Sequence, residues 1–242
     1  MEETANQKST WNGEFFFGDF WAAFRGETGD NSLHAHATLQ IVIAHTGKTH
    51  VEDAAGVQHS HDALVIRPGV PHALKPIDNV TLIFVEPQSR HARAFLGRTE
   101  RPDISRLPEH LATQLGSDVP LPAYTESLLP PPSPQDEGLD PRLARAISLL
   151  DRPAGTTTIG RAACDCGLSE ARLRALASEQ LGVPLSKWVT WRRLRRAAMA
   201  IAAGDDLASA AIAGGFTDQA HFSRTMRNVI GVTPGTAISP LR

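Results

Sequence analysis

Between residues 11 and 87 the apolar residues come in short runs, Glu14–Phe20, Leu39–Ala44, Ala63–Ile66 and Val80–Val85, parted by clusters of Gly, Pro, Asn and Asp. Runs so short and so regularly punctuated predict the strands of an all-β sandwich or barrel. After Glu86 the period lengthens: Leu107, Leu111 and Leu115 recur every four residues and predict a short helix closing this unit against its sheet or a partner subunit. From Asp140 the pattern is helical throughout. Asp140-Pro141 has the form of an N-cap with proline at the first helical position, followed by Leu143, Ile147 and Leu150 on one face. Over Ser186–Ala203, a stripe of Trp188, Trp191, Leu194, Ala198 and Ile201 leaves Arg192, Arg193, Arg195 and Arg196 largely elsewhere. That predicts an amphipathic helix of about five turns, stopped by Gly204.

The two regimes meet at a seam. Six of the 17 prolines lie between Pro120 and Pro134, and residues 129–138 read as a semi-extended, solvated linker. The chain of 242 residues therefore divides into a β unit at 11–116, a linker at 117–141 and an all-α unit at 142–242. Charge follows the same division: Lys and Arg outnumber Asp and Glu 14 to 8 from residue 140 onward, but are outnumbered 18 to 10 before it. A basic half joined to an acidic half suggests that one of them approaches a polyanion. No apolar run nears the roughly 18 residues of a membrane span, and Met1–Thr10 is polar and acidic, unlike a secretory leader. With only Cys164 and Cys166, too close for an ordinary disulfide framework, the expected location is the cytoplasm.

The helical half repeats itself. Ala163-Cys-Asp-Cys-Gly167-Leu168-Ser169 leads through a helical stretch to Leu181-Gly182-Val183-Pro184; 48 residues on, Ala211-Ile-Ala-Gly-Gly215-Phe216-Thr217 leads to Ile230-Gly231-Val232-Thr233-Pro234. One supersecondary unit used twice is the simplest account, and its grammar is that of a helix-turn-helix. Ala163 and Ala211 permit close helix packing, Gly167 and Gly215 occupy the turn, and Ser169 and Thr217 or Asp218 cap the second helix. In such a unit the second helix enters the major groove with its first residues at the base edges. Those residues are Glu170, Ala171, Arg172 and Arg174 in the first copy and Gln219, Ala220, Ser223 and Arg224 in the second. Arg suits guanine and Gln suits adenine in bidentate contacts. A joining helix of about 18 residues, on the order of 27 Å long, would set the two readers near one DNA turn apart.

These motifs resemble the DNA-binding domain of the AraC/XylS family of bacterial transcription regulators over residues 142–242. The likeness is strongest across 214–234, Gly-Gly-Phe-Thr-Asp-Gln-Ala-His-Phe-Ser-Arg-Thr-Met-Arg-Asn-Val-Ile-Gly-Val-Thr-Pro. The resemblance implies seven helices, two helix-turn-helix units and a linker helix, binding double-stranded DNA. Two positions depart from it: Ala175 stands where the family usually has Arg, and Ala177 where it has an aromatic residue, so the first unit is expected to read DNA through Arg172 or Arg174. Cys166 falls at a routinely apolar position and reads as a small buried hydrophobe rather than a redox group. A homodimer is expected, and activators of the family contact RNA polymerase.

Eight of the ten histidines lie within 34–91. His34, His36 and Gln40 occupy alternate positions of an expected strand and share a face, and the turn Arg67-Pro-Gly-Val-Pro-His72 would return His72 to them. This arrangement resembles the cupin fold, a jelly-roll β barrel, over about residues 15–90. The resemblance implies His34, His36 and His72 as metal ligands, with Gln40 where metal-binding cupins offer a carboxylate. Neutral imidazoles suit zinc, iron, nickel or copper; a small organic effector is the other expected signal. His45, His50, His59 and His61 are expected to be solvated strand and turn residues. The function expected is therefore a non-enzymatic, sequence-specific DNA-binding regulator whose cupin-like domain senses a metal or small molecule and dimerises. The alternative is a metal-dependent cupin dioxygenase or isomerase with an appended DNA-binding domain. A proline-rich linker favours coupling through dimer geometry over direct contact between the halves.

Overall fold

Nine strands precede the helical half in the computed structural model, which describes residues 11–98, 102–108, 111, 118–129, 131, 138–152 and 157–241. They are β1 (Asn12–Phe17), β2 (Trp21–Thr28), β3 (Leu39–Ala44), β4 (Thr49–Asp53), β5 (Gln58–His61), β6 (Ala63–Ile66), β7 (His72–Leu74), β8 (Ile77–Val85) and β9 (Ile104–Arg106). Six of them form one antiparallel sheet in the order β1-β2-β8-β3-β6-β9, and three form a second, β5-β4-β7. β3 and β8 lie at the centre of the larger sheet and are buried on both faces, which is why they read as unbroken apolar runs instead of alternating ones. One face contributes Phe24, Val42, Leu64, Leu82 and Phe84 to the main core. The opposite face, with Trp21, Ile41, Ile83 and Val85, is covered by Phe95, Leu121, Tyr124 and Leu128 from α1 (Arg90–Arg98) and α2 (Leu121–Leu128).

Helix α2 lies inside the segment expected to be a linker. Leu121, Tyr124, Thr125 and Leu128 recur at helical spacing and are buried, and Pro122 sits in the first turn, where a missing N–H costs nothing. Arg25 fastens it by donating to the Val119 carbonyl at 2.5 Å and stacking 4.9 Å from the centre of the Tyr124 ring. Apolar spacing thus outweighed proline content here. Leu107 is buried just after β9 rather than within a helix, and Leu115 lies outside the described residues.

The second half contributes seven helices among the described residues: α3 (Pro141–Leu150), α4 (Ile159–Asp165), α5 (Glu170–Leu181), α6 (Leu185–Ala202), α7 (Leu207–Gly214), α8 (Gln219–Ile230) and α9 (Pro234–Leu241). As expected, Asp140 caps α3 by accepting from the Arg142 N–H at 2.8 Å. Cys166 is buried and Cys164 exposed, both as free thiols. No helix among the described residues is long and apolar enough to cross a membrane.

The halves are not separated by their seam. One apolar core runs from Trp11, Phe24 and Phe84 of the β domain to Trp188, Trp191, Phe222 and Val232 of the helical one. Helix α9 lies against β1, where the Trp11 N–H donates to the Thr236 carbonyl at 3.3 Å. Direct domain contact is therefore present, against the expectation that linker composition suggested. Its polar centre is Glu86, at the end of β8 and only 1% exposed. Glu86 accepts from Arg192 and from Arg195 (3.0 Å), both on α6, while Gln88 donates to its other oxygen and accepts from the Trp188 indole at 2.8 Å. Arg195, itself 8% exposed, also donates to the carbonyls of Gly18 and Trp21. Arg192 completes its fork on Asp151 at 2.6 and 2.7 Å. A charged pair this deep is costly to break, because removing one partner strands the other in a medium that cannot solvate it. Glu86→Ala should lower the unfolding free energy by about 3 kcal/mol, read as a shift in the urea midpoint; a loss below about 1 kcal/mol, the worth of an exposed pair, would show that water reaches the clasp.

Candidate functional site

The repeat seen in the sequence is a repeat in space. In the first unit α4 turns through Gly167 (φ 67°) into α5; in the second α7 turns through Gly215 (φ 83°) into α8. Equivalent backbone bonds close both turns: Leu168 N–H to Ala163 carbonyl and Phe216 N–H to Ala211 carbonyl, each at 2.9 Å. Bonds of this reach require a left-handed residue between, which glycine supplies without steric cost. Ala163 and Ala211 are buried at the helix crossings, as their small size allows. Ser169 caps α5 by accepting from the Arg172 N–H at 3.2 Å, and Asp218, not Thr217, caps α8 by accepting from the His221 N–H at 2.7 Å. The Thr217 hydroxyl lies 3.1 Å from His221 Nδ1. Both reading helices end on left-handed glycines, Gly182 and Gly231, and the 18-residue α6 joins the units.

The residues expected to meet DNA stand clear of the core. Glu170, Ala171, Arg172 and Arg174 are exposed on α5; Gln219, Ala220 and Arg224 are exposed on α8, with Ser223 half-buried beside them. Arg174 is occupied locally, its guanidinium on Glu170 Oε1 at 2.6 and 2.9 Å. Ala175 is exposed, so the position where the resemblance expects Arg faces outward without a charge, whereas Ala177 is wholly buried.

The second constellation lies in the β domain. His34, His36 and His72 are all buried, and one nitrogen from each lies within 4.8 Å of the others. The turn at residues 67–72 does bring His72 back: it pairs with His34 as an isolated antiparallel bridge, with N···O distances of 2.8 and 3.0 Å, and Gly69 donates to the His36 carbonyl at 2.8 Å. Of the residues expected on one strand, only Gln40 is in it; His34 and His36 lie in the irregular segment before β3. They converge all the same, because the bridge and not the pleat of a strand aims them.

Backbone carbonyls set the rings' protons. His34 Nδ1 donates to the Ser32 carbonyl and His72 Nδ1 to that of Val70, each at 2.9 Å, which leaves the Nε2 lone pairs of both rings to the interior. His72 Nε2 is buried and has no partner. His36 places Nε2 2.9 Å from the Gln40 side-chain amide and Nδ1 3.0 Å from the Thr38 hydroxyl. Burial makes all three imidazoles hard to charge. It holds His34, with the neighbouring His72 adding repulsion, at about 3, and His72 at about 4; His36, facing both other rings, lies well below its ordinary 6.5. Three neutral imidazoles gathered this closely form a donor set that can ligate a transition metal once His36 Nε2 exchanges its bond to the Gln40 amide oxygen for the ion, and cannot readily hold protons. The other histidines stand apart: His45 lies 2.7 Å from the Thr81 hydroxyl and His59 pairs with Asp53 at 3.2 Å.

Several contributors are invisible to motif reading. Trp191 of α6 lies 5.8 Å from the His36 ring, and Ser32 and Gly231 brace His34 from outside. Glu86 had no signal at all. Arg195 had one, since it lies four residues after Trp191 and seven after Trp188, on the buried stripe of α6.

A two-sheet β domain fused to a duplicated helix-turn-helix defines a two-domain DNA-binding regulator. Comparison with known proteins agrees. Residues 162–238 match the family model described as a helix-turn-helix domain. A transcriptional regulator with an AraC-type DNA-binding domain, from Chromobacterium violaceum, is 30% identical over 39% of this chain and 87% of its own length, with a TM-score of 0.37. Residues 162–238 form an AraC-type helix-turn-helix domain. Two structures of ToxT from Vibrio cholerae share the whole two-domain architecture. One, from strain O395, has a TM-score of 0.59 at 10% identity, covering 93% of this chain and 99% of that one. The other, solved with a bound unsaturated fatty acid, has a TM-score of 0.56 at 9% identity, covering 90% and 94%. No curated protein matches the sequence.

The buried histidines give the metal-free chain a pH dependence. Their folded pKa values lie below the unfolded 6.5, so the stability they confer is complete above pH 6.5 and is lost as the pH falls toward 4 and 3. By pH 5 the loss should be on the order of 2 kcal/mol for each of His34 and His72, and His34→Asn with His72→Asn should flatten the curve of urea midpoint against pH. An equally steep curve in the double variant would assign the acid sensitivity elsewhere.

Proposed function

We propose that this regulator senses a divalent transition metal with its β domain and passes the state of that site to the DNA-reading half. The observation that carries the proposal is the orphaned Nε2 of His72, a buried lone pair facing two more neutral imidazoles. Buried polar atoms without partners are rare, and each asks for an explanation; a metal supplies one for a lone pair flanked by two other imidazoles. The set fits a metal. Two nitrogens on one tetrahedral ion stand about 3.4 Å apart, so a group whose nitrogens lie within 4.8 Å must draw together to bind it. Gln40, beside His36, offers an amide oxygen as a weak fourth donor where a carboxylate would bind more firmly.

An apolar effector is the competing reading, and cavity size weighs against it. The apolar cavity between the domains, lined by Phe15, Phe17, Phe84, Trp191 and Met226 among others, measures about 70 Å³. A cavity of about 150 Å³ is what admits benzene, so a fatty acid, the ligand named for one ToxT structure, would require the domains to part. We assign DNA contact to Arg172, Arg174, Gln219 and Arg224 with their neighbours Glu170, Ala171, Ala220 and Ser223, and expect a homodimer acting in the cytoplasm on double-stranded DNA and RNA polymerase.

Protein purified without added metal and titrated with zinc, nickel or cobalt should take up about one ion per chain, the stoichiometry of a single three-histidine centre. His34→Ala, His36→Ala and His72→Ala together should abolish uptake; a wild-type chain that binds none of these ions refutes the metal sensor. On a selected operator, Arg224→Ala or Gln219→Ala should each cost about 1–3 kcal/mol of binding. Affinity unchanged by both would remove α8 from the interface.

A further inference from the structure

We propose that the metal centre is an interdomain site, with Ser32 and Gly231 as its positioning residues, so that it reaches full affinity only when the second helix-turn-helix unit is docked on the β domain. The proposal rests on the metal reading above and adds to it where the outer shell comes from. His34 is aimed by the bond from its Nδ1 to the Ser32 carbonyl. Ser32 is in turn held by the DNA-binding half: its N–H and its hydroxyl both donate to the Gly231 carbonyl, at 3.2 and 3.3 Å. Gly231 is the left-handed C-cap of α8, the second reading helix. It sits so close that a Cβ there would stand 2.8 Å from His34 Nδ1, 2.8 Å from the Ser32 carbonyl oxygen and 2.9 Å from Asn31 Cβ. Asn31 extends the brace to the other side by accepting from the Leu74 N–H at 2.6 Å, two residues beyond His72.

The short segment carrying His34 is therefore clamped between the end of a reading helix and strand β7. The third ligand is enclosed from the same side. A cleft of about 280 Å³ that reaches His36 is walled by Ser186, Lys187 and Thr190 of α6 and by Asn228 and Val229 of α8. Partners that fix the orientation of a ligating imidazole govern metal affinity nearly as strongly as the ligands do. Here those partners change with the position of α8, and thermodynamic reciprocity then makes metal occupancy favour the docked arrangement by the same factor.

The repeat supplies its own control. Gly182 is the equivalent C-cap in the first unit, also left-handed, but a Cβ there meets nothing within 4 Å. Asparagine tolerates the left-handed cap, so Gly231→Asn and Gly182→Asn impose the same backbone change, and only the first meets His34. In the full chain, titrated with cobalt or zinc, Gly231→Asn should weaken metal binding by on the order of tenfold, with Gly182→Asn close to wild type. Ser32→Ala, which deletes one hydrogen bond and no packing, should weaken it roughly threefold and serves if Gly231→Asn does not fold. Folded Gly231→Asn and Ser32→Ala that both bind metal as wild type does overturn the interdomain assignment while leaving the metal reading intact. A wild-type chain that takes up no metal overturns both.

Discussion

A carboxylate withdrawn from water has to be met by cations, and Glu86 is met by two on the same helix. That constraint organises the molecule. Arg192 and Arg195 belong to α6, the helix joining the two DNA-reading units, so the clasp at the end of β8 fixes the one element on which both units depend. The apolar stripe of α6 provides most of the attraction, through Trp188, Trp191 and Leu194. The ion pairs provide register: a guanidinium fork that must face Glu86 on one side and Asp151 on the other accepts few rotations of the helix.

The histidine group obeys the opposite electrostatic rule. Glu86 is surrounded by cationic partners, whereas His34, His36 and His72 are surrounded so that each remains neutral, their Nδ1 or Nε2 atoms engaged by carbonyls, an amide and a hydroxyl. One interface thus contains a site where charge is compensated and another where charge has been excluded, both touching α6. A cation arriving at the second changes the field beside a helix whose position is set by the first.

The helical half was legible almost entirely from the sequence, because local rules govern it. Glycine at a left-handed turn, a cap two or three residues later and alanine at a crossing are each specified within a few residues, and a repeat states them twice. The β half was legible in four of its nine described strands, β1, β3, β6 and β8, and in the convergence of His34, His36 and His72, but not in the reason for that convergence, which is a bridge between segments about 38 residues apart. The segment at 121–128 misled because its prolines, a local signal, sit at the start of a helix whose apolar spacing answers to a sheet nearly a hundred residues earlier. Docking itself was hidden for the same reason. Nothing near Glu86 in the chain announces a partner on α6, and an arginine on an amphipathic helix is ordinarily solvated; Arg195 is buried only because a carboxylate waits there.

The packing of α9 along β1 carries one more consequence. β1 is an outermost strand, with Phe15, Phe16 and Phe17 in succession and one neighbour only, β2. A long apolar edge left bare is a template for recruiting other chains, and here the carboxy-terminal helix blunts it. Cutting the protein at its proline-rich seam to obtain the β domain alone would strip that protection, so insolubility or fibrous self-association of such a fragment would report an uncovered edge and not a failure of the two sheets to fold.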